Sequence, residues 1–162
     1  MQAIREKPHR LPKEYYKGRI FVALTLCIQN RAPIFSDAEI VKIFIDLLAG
    51  ITTKHNCQIP VYCFMPDHLH FIIVGNDDEV DLLRAVASYK QKTGYWMSRN
   101  KPSARWQKDF YDHVIKKEES FSAWINYILD NPVRRGIVKN WLDYPFKGSI
   151  GIDFNEVISS LY

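Results

Sequence analysis

Two histidines separated by one residue form the clearest chemical pattern in this chain. His68 and His70 belong to the apolar run HLHFIIVG. In a strand, alternate side chains share a face, so these imidazoles would point the same way, roughly 7 Å apart along the strand. Such a pair can converge on one metal ion. The alternative is a pair of hydrogen-bonded histidines in or beside the core.

A second pattern places a phenol and an amide on one side of a predicted helix. The stretch KEESFSAWINYILDNP has an apolar stripe made of Phe121, Trp124, Ile125, Ile128 and Leu129. Tyr127 falls off this stripe, and Asn131 follows one turn later on the same side, about 6 Å away. Tyr127 can offer a phenol and Asn131 an amide oxygen ligand for a metal. Alternatively, Tyr127 is a surface aromatic residue, and Asn131 ends one helix and caps the next.

Basic side chains accompany both patterns. Arg134 and Arg135 follow the tyrosine helix closely, and Lys90 and Lys92 lie on an earlier predicted helix. These four side chains could contact the phosphates of DNA. Charged, solvent-exposed helix faces have the same composition, so this signal alone decides nothing.

A further histidine leaves a different metal chemistry open. His113 lies in a predicted strand, two residues after Tyr111. An HxH pair joined by a third histidine would be typical of a zinc hydrolase. The spacing alone does not choose between this site and one completed by Asn131.

Four strands and three helices are expected from the apolar spacing. The predicted strands cover residues 19–28, 59–65, 68–75 and 110–115, and the predicted helices cover 37–55, 79–98 and 119–131. This order predicts an α+β fold of ferredoxin-like type, with helices packed on one face of an antiparallel sheet and a C-terminal tyrosine-bearing helix. We expect a single domain over residues 1–162, with residues 1–17 as a flexible arm.

Composition narrows the class of protein without deciding its function. The 162 residues are 47% hydrophobic and 25% charged, which indicates a globular chain, and the formal net charge of +4 permits a polyanionic partner. The three cysteines form no CxxC pair, and the start of the chain lacks a signal-peptide apolar region. The longest apolar run, residues 20–28, is too short to span a membrane, so we expect a cytoplasmic protein.

Several longer stretches carry a resemblance to a known family. They are PDHLHFIIV at 66–74, WQKDFYDHVI at 106–115 and YILDNPVRRGIV at 127–138, with weaker matches in NRAPIF at 30–35 and YPFKGS at 144–149. Together they resemble the single-tyrosine HUH transposases, and most closely the REP-associated tyrosine transposases. The resemblance runs over most of the chain and implies a sheet that carries the histidines, with the tyrosine helix laid against them.

The resemblance also implies a role for each candidate site residue. His68 and His70 correspond to the metal-binding histidines of the family motif, and Tyr127 corresponds to the nucleophile. Asn131 corresponds to the polar residue that completes the metal site, where other branches of the family carry a glutamine. Tyr111 is a conceivable rival nucleophile, but it stands at a position that the family does not use for cleavage.

The activity implied by the resemblance is cleavage and rejoining of single-stranded or hairpin DNA. The tyrosine attacks phosphorus and remains attached to the 5′ end as a phosphotyrosine, with a divalent metal at the scissile phosphate. The mixed nitrogen and oxygen ligands fit Mg²⁺ or Mn²⁺. The expected assembly is a monomer or a homodimer, and a relative that has lost transposition could still retain the cleavage chemistry.

Two alternative functions remain open from the sequence. The first is a metal-dependent phosphodiesterase that uses water, in which Tyr127 is merely structural. The second is a non-catalytic nucleic-acid-binding module of ferredoxin-like fold. RNA-binding modules of that kind carry aromatic residues on their central strands, within a K/R-G-F/Y-G/A-F stretch. This chain has no such stretch and carries two histidines there instead.

Overall fold

A five-stranded antiparallel sheet carries the candidate histidines on its central strand. The structure, a computed structural model, describes residues 10–161. The strands are β1 (Phe21–Cys27), β2 (Cys57–Met65), β3 (His68–Gly75), β4 (Tyr111–Ile115) and β5 (Lys147–Ile150). Their order across the sheet is β4-β1-β3-β2-β5, and every neighbouring pair is antiparallel. The first four strands therefore have the ferredoxin-like arrangement that the sequence predicts.

Within residues 10–161, five α-helices accompany the sheet. They are α1 (Ala38–Lys54), α2 (Leu82–Asn100), α3 (Phe121–Leu129), α4 (Asn131–Arg134) and α5 (Phe154–Ser159). Side chains at the N-caps accept hydrogen bonds from the first turns of four of them, at Asp37, Asp81, Ser120 and Asp153. Such caps satisfy backbone N–H groups that have no partner within the helix.

The sheet separates two apolar cores, because side chains alternate between its faces. On one face, Leu69 and Phe71 of β3 pack with residues of α1 and α2 such as Phe44 and Tyr89. On the other face, Ile72 packs in a second core with α3 and α5. Each buried large apolar side chain contributes about 1.5–3 kcal/mol to stability. The predicted helices α1 and α2 thus cover one face, and the tyrosine helix α3 lies against the opposite face.

The helix predicted over residues 119–131 is shorter in the structure, and a short helical turn follows it, as Pro132 and Gly136 predict. Helix α3 ends at Leu129, and α4 begins at Asn131 with Pro132 in its first turn. Proline has no N–H and its ring clashes with the preceding turn, so it fits the start of a helix and not its interior. The chain leaves α4 at Gly136, where φ is +72° and a residue without a Cβ is favoured.

The edge strand β5 was not predicted from the sequence. Its four residues, KGSI, are only partly buried and pair with β2 alone. Lysine and glycine are poor strand formers, so no local pattern indicated a strand here. Gly148 has a steric reason for its small size, since a Cβ at this position would stand 2.7 Å from Oη of Tyr62.

Of the predicted arm, residues 10–17 lie within the described residues, and they are mostly exposed but anchored at Tyr16. A 3₁₀ helix covers Lys13–Tyr16, and the Tyr16 ring is buried. Its hydroxyl accepts a hydrogen bond from the backbone N–H of Leu11 at 3.1 Å. The rest of the predicted arm, residues 1–9, lies outside the described residues. No helix within residues 10–161 is long and apolar enough to cross a membrane.

Candidate active site

The two histidines of β3 lie side by side on the sheet face that α3 covers. The ring centroids of His68 and His70 are 4.6 Å apart, with their planes at 89°. The residues are 3% and 9% exposed. Strand alternation therefore places both imidazoles on one face, as the HLH spacing predicts.

Each imidazole uses its Nδ1 for a contact inside the protein. Nδ1 of His68 lies 2.6 Å from Oδ1 of Asp67, and Nδ1 of His70 lies 2.8 Å from Oγ1 of Thr25. The Asp67 carboxylate can only accept, so it holds the proton of a neutral His68 on Nδ1. Nε2 is then the nitrogen of each ring that can bind a metal, with a partner that orients the ring from behind.

Burial keeps both imidazoles in their neutral form. It lowers the pKa of His68, although the neighbouring Asp67 carboxylate raises that pKa in part. Burial also holds the pKa of His70 well below its ordinary value, and the positive charges around it act in the same direction. A neutral imidazole is the form that binds a metal.

The side-chain amide of Asn131 lies next to Nε2 of His68, the ring nitrogen proposed to bind a metal. Asn131 is 5% exposed, and its Nδ2 lies 3.4 Å from Nε2 of His68. Rotation of the amide by half a turn would bring Oδ1 to this position, since the two ends of an amide have nearly the same shape. Two imidazole nitrogens and an amide oxygen form a donor set that suits a divalent cation.

Tyr127 stands beside the histidines, half-buried at the edge of the second core. Its ring centroid lies 6.4 Å from that of His70 and 6.5 Å from that of Trp124. Arg134 holds it from the outside: the guanidinium lies 4.2 Å from the ring centroid, and Nη2 donates to the Tyr127 carbonyl at 2.8 Å. Tyr127 is therefore more enclosed than a surface aromatic residue, which was the alternative that the sequence left open.

These side chains line one cleft of about 320 Å³. Of the predicted site residues, the cleft contains His68, His70, Tyr127, Asn131, Arg134 and Arg135. Its lining also contains Arg31 but no aspartate or glutamate among the described residues. Arg31 and Arg134 pair with carboxylates that lie outside this lining, those of Asp67 at 3.1 Å and Asp130 at 3.6 Å. Arg135 is therefore the cleft arginine best placed to attract an anion such as phosphate.

The structure does not bring Lys90 and Lys92 to this cleft. Both lie on α2, which packs in the core on the opposite face of the sheet. Lys90 donates through Nζ to the backbone carbonyls of Gln107 and Lys108, at 3.0 and 3.1 Å. Lys92 is exposed on that helix. The predicted contact of Lys90 and Lys92 with DNA would therefore require a second DNA-binding surface, on the opposite face of the sheet.

Arg31 is a cleft residue that the sequence did not single out. Its Nε lies 3.1 Å from Oδ2 of Asp67, and its Nη1 donates to Sγ of Cys27 at 3.2 Å. The backbone at Asn30 and Arg31 has φ values of 59° and 56°. This left-handed pair is unusual for residues with a Cβ. It directs Arg31 toward Asp67, the hydrogen-bond partner of His68. The NRAPIF stretch was the only signal for it.

His113 does not join the metal candidates. Its Nε2 lies 2.9 Å from both carboxylate oxygens of Glu119, and its ring stacks on Trp124 with centroids 4.7 Å apart. Over the described part of the chain, no group of three histidine, cysteine, aspartate or glutamate side chains is arranged to hold a metal. The three-histidine zinc site that the spacing left open is thus not formed.

With this geometry established, comparison with known proteins decides the family. The family described as "Transposase IS200 like" matches residues 17–131, which include the whole cleft-bearing sheet except β5. This chain belongs to the IS200-like transposase family. The matched stretch ends at Asn131, the last of the proposed metal ligands.

Individual IS200-like relatives share part of the sequence. A REP-associated tyrosine transposase of Escherichia coli K12 is 32% identical over 92 residues, covering 55% of this chain and 52% of the relative. A Haemophilus influenzae protein named as a candidate REP-associated tyrosine transposase is 21% identical over 145 residues, covering 83% of this chain and 81% of the relative.

Solved structures share the fold. A REP-associated tyrosine transposase bound to a REP hairpin superposes with a TM-score of 0.74 at 21% identity, covering 96% of this chain and 88% of the other. A candidate transposase from Deinococcus radiodurans has a TM-score of 0.52 at 15% identity, covering 80% of this chain and 97% of the other. At these identities, the likeness concerns the fold.

Proposed function

We propose that this chain cleaves and rejoins single-stranded DNA beside a hairpin, with Tyr127 as the nucleophile. One observation carries the proposal. The phenol, the two imidazoles and the Asn131 amide all line a single cleft, with the rings of Tyr127 and His70 6.4 Å apart. Membership of the IS200-like transposase family supports the interpretation of this cleft as a site of DNA cleavage. The hairpin is proposed because the structurally similar transposase is bound to one.

The proposed metal ligands are His68, His70 and Asn131. Two buried neutral imidazoles with oriented rings fit a divalent cation, and the mixed nitrogen and oxygen donors suit Mg²⁺ or Mn²⁺. Such a cation would neutralise charge that develops on the scissile phosphate. Asp67 and Thr25 act behind the ligands by holding each ring through Nδ1.

The covalent step belongs to Tyr127. Its phenolic oxygen forms a bond to phosphorus, and the bond from phosphorus to the 3′ oxygen of the preceding nucleotide breaks. The phenol loses its proton and the departing 3′ oxygen gains one, so the step is balanced without another reactant. The product is a 5′-phosphotyrosine and a free 3′-hydroxyl. Because the phosphodiester bond is exchanged and not hydrolysed, a 3′-hydroxyl can later reverse the step and rejoin the strand.

Two arginines have distinct tasks in this scheme. Arg134 fixes the tyrosine, because it donates to the Tyr127 carbonyl and covers the ring. Arg135 is exposed in the lining of the cleft and has no ion-pair partner within residues 10–161. Its guanidinium can bind a DNA phosphate, a contact for which the planar fork of arginine is well suited.

The test is a search for a protein–DNA adduct. The chain is incubated with Mn²⁺ and end-labelled hairpin oligonucleotides that carry single-stranded flanks, with and without a chelator, and analysed by denaturing electrophoresis. The proposal expects a labelled, protease-sensitive adduct that forms only with the metal. Cleavage without any adduct would instead support the water-using phosphodiesterase. Binding without cleavage would support the non-catalytic module.

A further inference from the structure

Tyr111 is an exposed aromatic residue that the proposed chemistry does not use. It begins the edge strand β4 and is 47% exposed. Across the sheet it stands opposite Thr25 of β1, and Thr25 stands opposite His70 of β3. Strands lie about 4.8 Å apart and residues in one row share a face, so Tyr111 lies roughly 10 Å from His70 on the face of the cleft.

Tyr111 also borders a second depression, here called the flanking groove. This groove has a volume of about 730 Å³, and it is lined by Arg10, Gln29, Gln107, Lys108, Asp109, Phe110, Tyr111 and Asp112. Tyr111 lines both the flanking groove and the cleft that contains Tyr127. A strand of DNA that passes from the cleft into the flanking groove must therefore cross the Tyr111 side chain.

The flanking groove offers contacts of the kinds that a single strand uses. The Arg10 guanidinium lies 4.3 Å from the Phe110 ring centroid, and Lys108 is exposed beside it. The amide side chains of Gln29 and Gln107 supply both donors and acceptors. Asp112 lies 3.7 Å from Arg10, and together with Asp109 it balances the positive charges of Arg10 and Lys108 in the lining. The exposed Tyr111 ring at the entrance of the groove therefore favours a nucleic-acid strand over a simple anion, because a base can stack on the ring and a simple anion cannot.

We infer that Tyr111 is a stacking platform for the base next to the scissile phosphate, and that the flanking groove holds the single-stranded segment beyond it. This inference rests on the proposed function, because that function defines which phosphate is cut. Aromatic side chains bind single strands by stacking on base faces, which every base possesses. Tyr111 thus acts as a positioning residue, whose ring and not its hydroxyl matters.

The test measures binding of two oligonucleotides to the full chain in a buffer that contains a chelator. One is a hairpin with a short single-stranded flank, and the other is the same hairpin with blunt ends. Tyr111→Ala should weaken binding of the flanked hairpin by roughly 10-fold and leave the blunt hairpin unaffected. Tyr111→Phe, which keeps the ring, should bind both as the parent does. Circular dichroism checks that each variant is folded.

Tyr95→Ala is the matched control, because Tyr95 is 66% exposed on α2, away from both depressions. This variant should bind both oligonucleotides normally. Equal binding of the flanked hairpin by Tyr111→Ala and the parent would overturn the inference, as would a Tyr111→Phe variant as weak as Tyr111→Ala. A second probe replaces the flanking base with 2-aminopurine, whose fluorescence should be quenched by the parent and by Tyr111→Phe but not by Tyr111→Ala.

Binding and covalent chemistry are separated in this design. If the parent forms no adduct but Tyr111→Ala loses the flank-dependent affinity, the proposed cleavage fails and the single-strand site stands. If the adduct forms and the flank-dependent affinity is unchanged in Tyr111→Ala, the cleavage stands and the stacking role is wrong.

Discussion

In each cleft histidine, Nδ1 contacts another side chain of the protein, and Nε2 is left to bind a metal. Asp67 contacts Nδ1 of His68 from the preceding turn, and Thr25 contacts Nδ1 of His70 from the neighbouring strand. The two rings are thus oriented by unrelated parts of the chain. Since both are buried and neutral, they can bind a cation through Nε2 without first losing a proton.

We predict that Asp67→Asn weakens Mn²⁺ binding by about 10-fold, the usual effect of losing a partner behind a metal ligand. The substitution keeps the shape of the side chain but removes the charge that faces His68 and Arg31. Titration calorimetry or paramagnetic resonance of Mn²⁺ measures the effect without reference to cleavage. Asp46→Asn, an exposed position on α1, is the control. Unchanged affinity in Asp67→Asn would argue against a metal at these histidines.

At the scale of elements, the short helix α3 carries the nucleophile and needs a fixed start. Glu119, just before its N-cap, lies 2.9 Å from Nε2 of His113 on β4 and accepts from Nε1 of Trp124 at 3.1 Å. It also accepts from the backbone N–H of Lys116. These contacts tie α3 to the edge of the sheet, and Trp124 in turn packs near Tyr127.

Glu119→Ala should therefore lower the free energy of unfolding by about 2 kcal/mol, because partly buried partners lose their acceptor. We expect slower adduct formation at unchanged Mn²⁺ affinity, since the histidines lie on β3 and not on α3. Denaturant unfolding and single-turnover cleavage provide the two measurements. Glu118→Ala, one residue earlier and exposed, should leave both as in the parent. A fully active and equally stable Glu119→Ala variant would contradict this role.

Local sequence patterns predict this molecule well where a motif lies within one element. The HLH spacing and the step from Tyr127 to Asn131 are both short-range, and each pattern was visible in the sequence. The row from Tyr111 through Thr25 to His70 depends on strand register between distant segments. Register is set by the packing of whole strands, so no local pattern could place Tyr111 beside the cleft.

Other features escaped prediction for equally physical reasons. Arg31 enters the cleft through two successive left-handed residues, which no preference of asparagine or arginine for regular structure would indicate. Strand β5 exists because β2 offers it an edge, while its own residues favour no strand. The contact between Asn131 and His68 joins residues 63 positions apart, so only the resemblance to transposases pointed to it.

On the scale of the whole molecule, the net charge is small, but positive side chains are concentrated at one site. The net charge is only +4. Three arginines nevertheless line one cleft on the α3 face, with no acidic residue in the described lining. DNA binding should therefore depend on this face and become weaker as salt rises, because bound phosphates release counterions.

Arg135→Ala should reduce the slope of log affinity against log salt concentration by about one, the value for one lost phosphate contact. Lys92→Ala, which removes a charge from the opposite face, should leave the slope unchanged. Fluorescence anisotropy of a labelled flanked hairpin over a range of salt gives both slopes. An equal loss in the two variants would mean that α2 also contacts DNA, and no loss in Arg135→Ala would remove the cleft arginine from the binding surface.

The identity of the nucleophile is the central claim, and mass spectrometry of the trapped protein–DNA adduct tests it most directly. In the parent, we predict that the DNA-linked peptide contains Tyr127. Tyr127→Phe should bind the hairpin and Mn²⁺ as the parent does, because the ring that packs beside His70 and Trp124 is kept. It should form no adduct and cut no DNA. An adduct mapped to Tyr111, or one that persists in Tyr127→Phe, would contradict the account.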